Sequence, residues 1–264
     1  MRKSTNAAVI AAAIIGVAMT YSIGAHAQAP QQPPPAPPQR IQVTVNEIRP
    51  EMIGAYDELI KNDAIPALKK AGVPWRWMWT SVTGAGFTRI SIQPIANYAE
   101  LDQPGALQRA LGPGPAANYG AMVRGMLTST HTDIETLNVA QSIQSRMTAP
   151  PPLAVLQVFT IAQGKNADFN ASMTMDFLPA LKKAGVKDFW VYNTNFGGNG
   201  EVVTVRPVEK FAALDGNLFA PANLPMEVLQ QMFAKRAATV INVATDIIRL
   251  LPDLSYGMPG GPAQ

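Results

Sequence analysis

Cysteine is absent from this 264-residue chain and histidine occurs only twice. The first absence removes disulfides, thiolate nucleophiles, Cys-ligated metals and the attachment point of a lipoprotein anchor. The second leaves His131 alone once the leader containing His26 is set aside, and one imidazole cannot build a His-rich metal site. An excess of one charge is lacking too. Against 18 Asp and Glu stand 21 Lys and Arg, and removing Arg2 and Lys3 leaves 21 − 2 = 19, a net of +1. Without a Lys/Arg stripe, nucleic acid is not an expected partner. Beyond the N-terminus no apolar run approaches the roughly 20 residues of a membrane-spanning helix. The Gly-rich loops lack the Gly-Lys-Ser/Thr of a phosphate-binding loop and read as turns.

What is present begins with a leader. Met1-Arg2-Lys3 is a short positive start, Ala7 to Met19 carries no charge, and Ala25-His26-Ala27 is a small-x-small site. This is the layout of a secretory signal peptide, residues 1–27, with Ala29 as a second cleavage option. A transmembrane anchor is the competing reading, but the core is short and Ala-rich. The expectation is a periplasmic or secreted protein, soluble and free of the membrane after cleavage. Residues 28–40 are a Pro-rich spacer that cannot pack a core.

The rest of the chain is written twice. Ile65-Pro66-Ala67-Leu68-Lys69-Lys70-Ala71-Gly72-Val73 returns as Leu178-Pro179-Ala180-Leu181-Lys182-Lys183-Ala184-Gly185-Val186, an offset of 178 − 65 = 113. The same offset pairs Trp77 with Trp190, Gly84 with Gly197, Pro94 with Pro207, and Thr132-Asp133-Ile134 with Thr245-Asp246-Ile247. Two repeats are expected, 41–147 and 153–256, followed by a flexible tail, 257–264. In each, a short β-rich run (Ile41 to Ile48, Ala154 to Ile161) precedes a helix. In the first copy Ile53, Tyr56, Ile60, Ala64 and Leu68 share one helical face, and Phe169, Met173, Phe177 and Leu181 keep it apolar in the second. Pro66 and Pro179 should kink these helices, and Gly72 and Gly185 should end them. A hairpin follows (Trp75 to Ser81 with Phe87 to Gln93; Phe189 to Thr194 with Glu201 to Arg206). Helical segments come next, Ala96 to Leu111, Ala116 to Thr128, Glu209 to Leu214 and Pro225 to Val240, and then a fourth strand at each Thr-Asp-Ile.

Strand, helix, strand, strand, helix, strand is the split β-α-β order of ferredoxin-like folds. Helices cover one face of such a sheet, and a second copy can cover the other at high effective concentration. The predicted class is α+β: two tandem ferredoxin-like repeats packed sheet to sheet as a pseudo-symmetric barrel, an intramolecular pseudo-dimer. Element order and the Pro-Ala-Leu-Lys-Lys-Ala-Gly block resemble the dimeric α+β barrel superfamily, with its NIPSNAP-like, EthD-like and antibiotic-biosynthesis-monooxygenase-like members. That resemblance covers nearly all of the chain after the spacer, implies a fold, and matches no catalytic motif.

Trp75, Trp77 and Trp79 alternate on one strand and share a face. They read either as core or as an apolar, aromatic-lined pocket between sheet and helices, with Tyr56, Arg89, Trp190 and Tyr192 as further ligand-binding candidates. Only Trp77 recurs as Trp; Trp79 becomes Tyr192 and Trp75 becomes Asp188. On the third strand Arg89, Ser91 and Gln93 oppose Ile90 and Ile92, and on the first Thr44 and Asn46 oppose Val43 and Val45, with the polar sides expected toward the sheet-to-sheet interior. Asp63, Asn46 and His131 are the proton-handling candidates. As the resemblance implies, His131 could also ligate haem. Asp133 and Asp246 are expected to pair with Arg124 and Arg236 of the preceding helices. No cofactor or metal is expected. The leading functional expectation is binding of a small apolar or aromatic molecule. A cofactor-independent oxygenase or isomerase is the second, and a structural or interaction module without a ligand the third.

Overall fold

The computed structural model describes residues 39–259 apart from Ala85, Arg146 and Asn199. The leader, nearly all of the spacer and the end of the tail lie outside the described residues. The strands are β1 (Arg40–Ile48), β2 (Trp77–Ser81), β3 (Thr88–Ile95), β4 (Leu127–Leu137), β5 (Leu153–Ile161), β6 (Trp190–Phe196), β7 (Glu201–Val208) and β8 (Val240–Leu250). They close one antiparallel barrel in the order β1-β3-β2-β8-β5-β7-β6-β4. Each strand keeps its counterpart's spacing, as in β1 to β5 (153 − 40 = 113) and β4 to β8 (240 − 127 = 113). Two short seams complete the ring: Trp79 to Ser81 of β2 against Leu250 to Ile248 of β8, and Ile134 to Leu137 of β4 against Phe196 to Tyr192 of β6.

The helices are α1 (Ile53–Leu59), α2 (Ile65–Lys70), α3 (Ala106–Leu111), α4 (Pro113–Met126), α5 (Asn166–Ser172), α6 (Leu178–Lys183) and α7 (Met226–Ala237). Proline acts on α1–α2 and α5–α6 through a wide turn. Residues Ile60–Ala64 and Met173–Phe177 form π turns, in which the Ile65 and Leu178 N–H groups donate five residues back, to Ile60 and Met173. One extra residue per turn makes room for the Pro66 and Pro179 rings, which lack an N–H and would crowd an α carbonyl. Gly72 ends α2 at φ 82° and Gly185 ends α6 at φ 79°. Val73 N–H reaches Leu68 O and Gly72 N–H reaches Lys69 O, the paired closing bonds of a Schellman end, repeated by Val186 and Gly185. The segment expected to be helical from Ala96 to Leu111 is instead a 3-10 turn at Tyr98–Asp102 and then α3. Pro104 between them removes a donor and disfavours helix at Gln103.

Strand alternation divides the core in three. Ile41, Val43, Trp77, Trp79, Ile90, Ala154, Val203, Val205, Ile248 and Leu250 pack together with Trp190 and Tyr192, and no helix contributes to them. This is the barrel interior. Outside the first four strands, Ile48 and Met78 meet Tyr56, Ile60, Ala64 and Tyr119. Outside the last four, Phe159, Val191 and Val202 meet Phe169, Met173, Phe177, Leu181 and Met232. The expected orientation of the strand faces is therefore reversed. Val43, Val45, Ile90 and Ile92 line the barrel, while Asn46, Arg89 and their polar neighbours face the helices. Both faces of these strands are buried, and ring closure places the aliphatic one inside.

Candidate functional site

Between the first sheet and its helices lies a layer of connected polar side chains. Asn46 on β1 donates from Nδ2 to Tyr56 Oη on α1 (2.8 Å) and accepts at Oδ1 from Thr130 Oγ1 on β4 (2.6 Å). Arg89 on β3 forks onto Asp57 of α1, Nε to Oδ1 at 2.9 Å and Nη2 to Oδ2 at 2.7 Å, and gives Nη1 to Thr80 Oγ1 at 2.8 Å. Tyr56, one residue before Asp57, is 1% exposed, and Arg89 is 7% exposed. Since Asn46 donates to Tyr56 Oη, the phenolic proton is left free to point away from Asn46. Burial raises the Tyr56 pKa, with Arg76 and the Asn46 hydrogen bond acting against it. Tyr119 of α4 is raised further by the same desolvation, so both hydroxyls remain protonated donors at neutral pH.

Arg76, just before β2, completes the layer. It pairs with Tyr256 through reciprocal backbone bonds of 2.8 Å, so the C-terminal segment forms a strap along β2. The guanidinium is buried, and its Nε has no acceptor. Tyr256 Oη is likewise buried without a partner, and Lys69 Nζ lies 4.9 Å from the Tyr256 ring centre. A shallow cavity of about 240 Å³ runs beside this strap, lined by Pro150, Leu250, Pro252, Ser255, Tyr256, Gly257 and Met258.

The second half occupies the same positions with apolar residues. At the offset of 113, Asn46 becomes Phe159, Tyr56 Phe169, Arg76 Phe189, Arg89 Val202 and Tyr119 Met232. All five replacements are buried in one apolar cluster. Its charged visitor, Arg236, lies over the Phe159 and Phe177 rings at 4.2 and 4.1 Å, and burial lowers its pKa to about 10.

Trp75, Trp77 and Trp79 are placed on the far side of β2 from this layer. They pack on one another at 5.5 and 6.3 Å, and Trp77 meets Trp190 at 6.3 Å inside the barrel. Alternation sends Met78, between them, toward the helices. The expectation that they line a pocket between sheet and helices therefore puts them on the wrong face. Trp190 and Tyr192 share the barrel interior, whereas Tyr56 and Arg89 belong to the polar layer.

Asp63 is exposed on the π turn rather than half-buried, and its counterpart Asp176 faces Lys235 at 3.3 Å. His131 is 55% exposed on the barrel side of β4, with Nε2 at 2.7 Å from Asp133 Oδ1. It cannot reach a molecule held in the helix layer. The expected pairs of Asp133 and Asp246 with Arg124 and Arg236 do not form. Asp246 instead accepts from the Ser81 and Thr83 hydroxyls, which lower its pKa against its burial. The positions of Ser81 and Thr83 become Thr194 and Phe196 in the second half, leaving Asp133 to His131.

Four residues of interest were missed from sequence: Arg76, Asp57, Tyr119 and Glu135. For Arg76 and Tyr119 the signal was available, as polar positions whose partners at the offset are Phe189 and Met232. Glu135 lies opposite Ile41 on the barrel side of β4, and its carboxyl is pushed up to about 8 by burial, then by Asp133 and Glu201. Among the described residues no group of three or more His, Asp or Glu is arranged to hold a metal ion.

No family model and no curated protein matches the chain. Solved structures do. An anthrone oxidase-like protein aligns at TM-score 0.58 and 11% identity, over 82% of this chain and 92% of its own. A protein proposed to be a monooxygenase from Lactobacillus acidophilus NCFM aligns at TM-score 0.54 and 10% identity, over 83% and 96%. A mutant chlorite dismutase from Candidatus Nitrospira defluvii aligns at 0.52 and 9%, over 81% and 92%. At such identities the likeness is one of fold, and the fold is the α+β barrel with eight antiparallel strands.

Proposed function

We propose that the protein holds one small organic molecule in the polar layer between the sheet and helices of its first half. The observation that carries this reading is the contrast between halves. The second half fills the same layer with Phe159, Phe169, Phe189, Val202 and Met232, so the fold has no need of Asn46, Tyr56, Arg76, Arg89 and Tyr119 there. Buried polar groups cost stability relative to apolar packing unless they are satisfied, and a ligand can satisfy them. Native mass spectrometry of protein isolated from its own host tests this. One bound molecule per chain is expected, lost in an Asn46→Phe/Tyr56→Phe variant that copies the second half. A wild-type protein that is consistently bare, and unchanged in stability by every small molecule screened, would overturn it.

Cofactor-independent oxygenation is the second reading, favoured by the fold shared with the anthrone oxidase-like protein and the proposed monooxygenase. In such a reaction an activated CH2 and O2 give C=O and H2O, and donors like the Tyr56 hydroxyl stabilise the substrate oxyanion. Binding is placed first because Asp57, the carboxylate hydrogen-bonded within this layer, is committed to Arg89 and is no free base. Oxygen uptake with anthrone, compared with a protein-free blank, separates the two readings.

The constant offset and the neighbour orders β4-β1-β3-β2 and β8-β5-β7-β6 support a further part of this reading, that the barrel is two ferredoxin-like units in tandem. Export to the periplasm or outside the cell rests on the leader alone.

A further inference from the structure

We propose that buried Arg76 and the enclosed hydroxyl of Tyr256 receive the carboxylate of a small organic acid, so that the molecule held in the first half is an anion. The inference rests on the small-molecule reading above and names the chemistry of its ligand.

Arg76 is 9% exposed, and no ion pair among the described residues includes it. Its Nε–H has no acceptor. Tyr256 opposes it in an antiparallel bridge, which puts both side chains on one side of the strap, and Tyr256 Oη is also buried and unpartnered. Two adjacent buried donors without an acceptor fit a carboxylate, whose oxygens take charge-assisted bonds from a guanidinium and a phenol together. The remaining neighbours are of matching character. Tyr56 and Tyr119 present hydroxyls that carry their protons, and Lys69 stands over the Tyr256 ring. Arg89 is paired with Asp57, and Arg40 and Arg236, which also carry a buried N–H without an acceptor, lie over the rings of Tyr98 and of Phe159 and Phe177. Arg76 has neither kind of partner. Its counterpart Phe189 is buried in apolar contact, so the position itself does not call for a cation.

The test uses the whole protein with benzoate and hexanoate, each against its neutral amide, followed by calorimetry and tryptophan emission. One acid should bind per chain, about tenfold or more tighter than its amide. Arg76→Gln should weaken acid binding by about tenfold or more and leave the amide unchanged, while Arg76→Lys recovers part of the loss. Arg76→Phe, which reproduces Phe189, should fold and lose the preference for acid. Equal binding of acid and amide overturns the anion proposal and leaves the small-molecule reading standing. Undiminished acid binding by Arg76→Gln, or no binding of either acid, overturns it as well. In the last case the native mass measurement still decides the broader reading.

Discussion

Glu135 and Arg89 show how differently a buried charge behaves with and without a partner. Glu135 projects into the barrel, where burial first, and Asp133 and Glu201 next, hold its carboxyl near 8 against an ordinary 4.5. Between those values the folded protein keeps a proton that the unfolded chain has released, so stability falls as pH rises across this window. Glu135→Gln removes the titration. It should match the wild type at about pH 4 and exceed it by on the order of a few kcal/mol at about pH 8.5, read from urea midpoints. A difference that does not change with pH would contradict the burial of an ionising group. Arg89 is paired, so here it is loss of the partner that costs. Arg89→Ala leaves Asp57, whose side chain is 30% exposed, without its counter-ion and should destabilise by about 2–3 kcal/mol. The double variant Asp57→Asn/Arg89→Val, which copies Asn170 and Val202, should cost less than the sum of its single changes in a double-mutant cycle.

At the scale of elements, the strap formed by the C-terminal segment matters most to the site. Trp77 Nε1 donates to Gly257 O at 3.1 Å, Met78 N donates to Ser255 Oγ at 2.9 Å, and Arg76 pairs with Tyr256. Gly257 has φ 69°, and a Cβ there would collide with Pro74 O and the Trp75 side chain. Gly257→Ala should therefore lift the strap, shift tryptophan emission to the red and cost about 1–3 kcal/mol, with the Arg76–Tyr256 pair lost first. The ends of α2, α4, α6 and α7 were legible from sequence to within a few residues, because proline, glycine and apolar spacing act locally, whereas Ala96 to Leu111 is α-helical only from Ala106 and Glu209 to Leu214 is a 3-10 turn at Phe211–Leu214. The π turns were not legible, since the sequence shows that Pro66 and Pro179 perturb a helix but not which hydrogen-bond register absorbs them.

For the whole molecule, closure depends on both halves, because β2 meets β8 and β4 meets β6. Unfolding should be a single cooperative transition. Cutting the chain at a protease site placed after Thr148 should leave two fragments that elute together, held by the shared apolar interior. Fragments that separate under native conditions would mean that each half is complete by itself.

The sequence by itself determined the constant offset between matching residues, the order of elements and the faces that alternate along each strand, because these follow from residue spacing alone. It even held the clue to the proposed site, in polar residues of the first half that match aromatic and aliphatic residues of the second at the offset of 113. Only the tertiary structure decided which strand face is the inside. Both faces of β1, β2 and β3 are buried, one by the barrel and one by helices, so hydrophobicity cannot tell them apart. Ring closure breaks the tie. It turns Trp75, Trp77 and Trp79 into the packed interior and leaves Asn46, Arg76 and Arg89 to the helix layer, where hydroxyls and carboxylates can meet them.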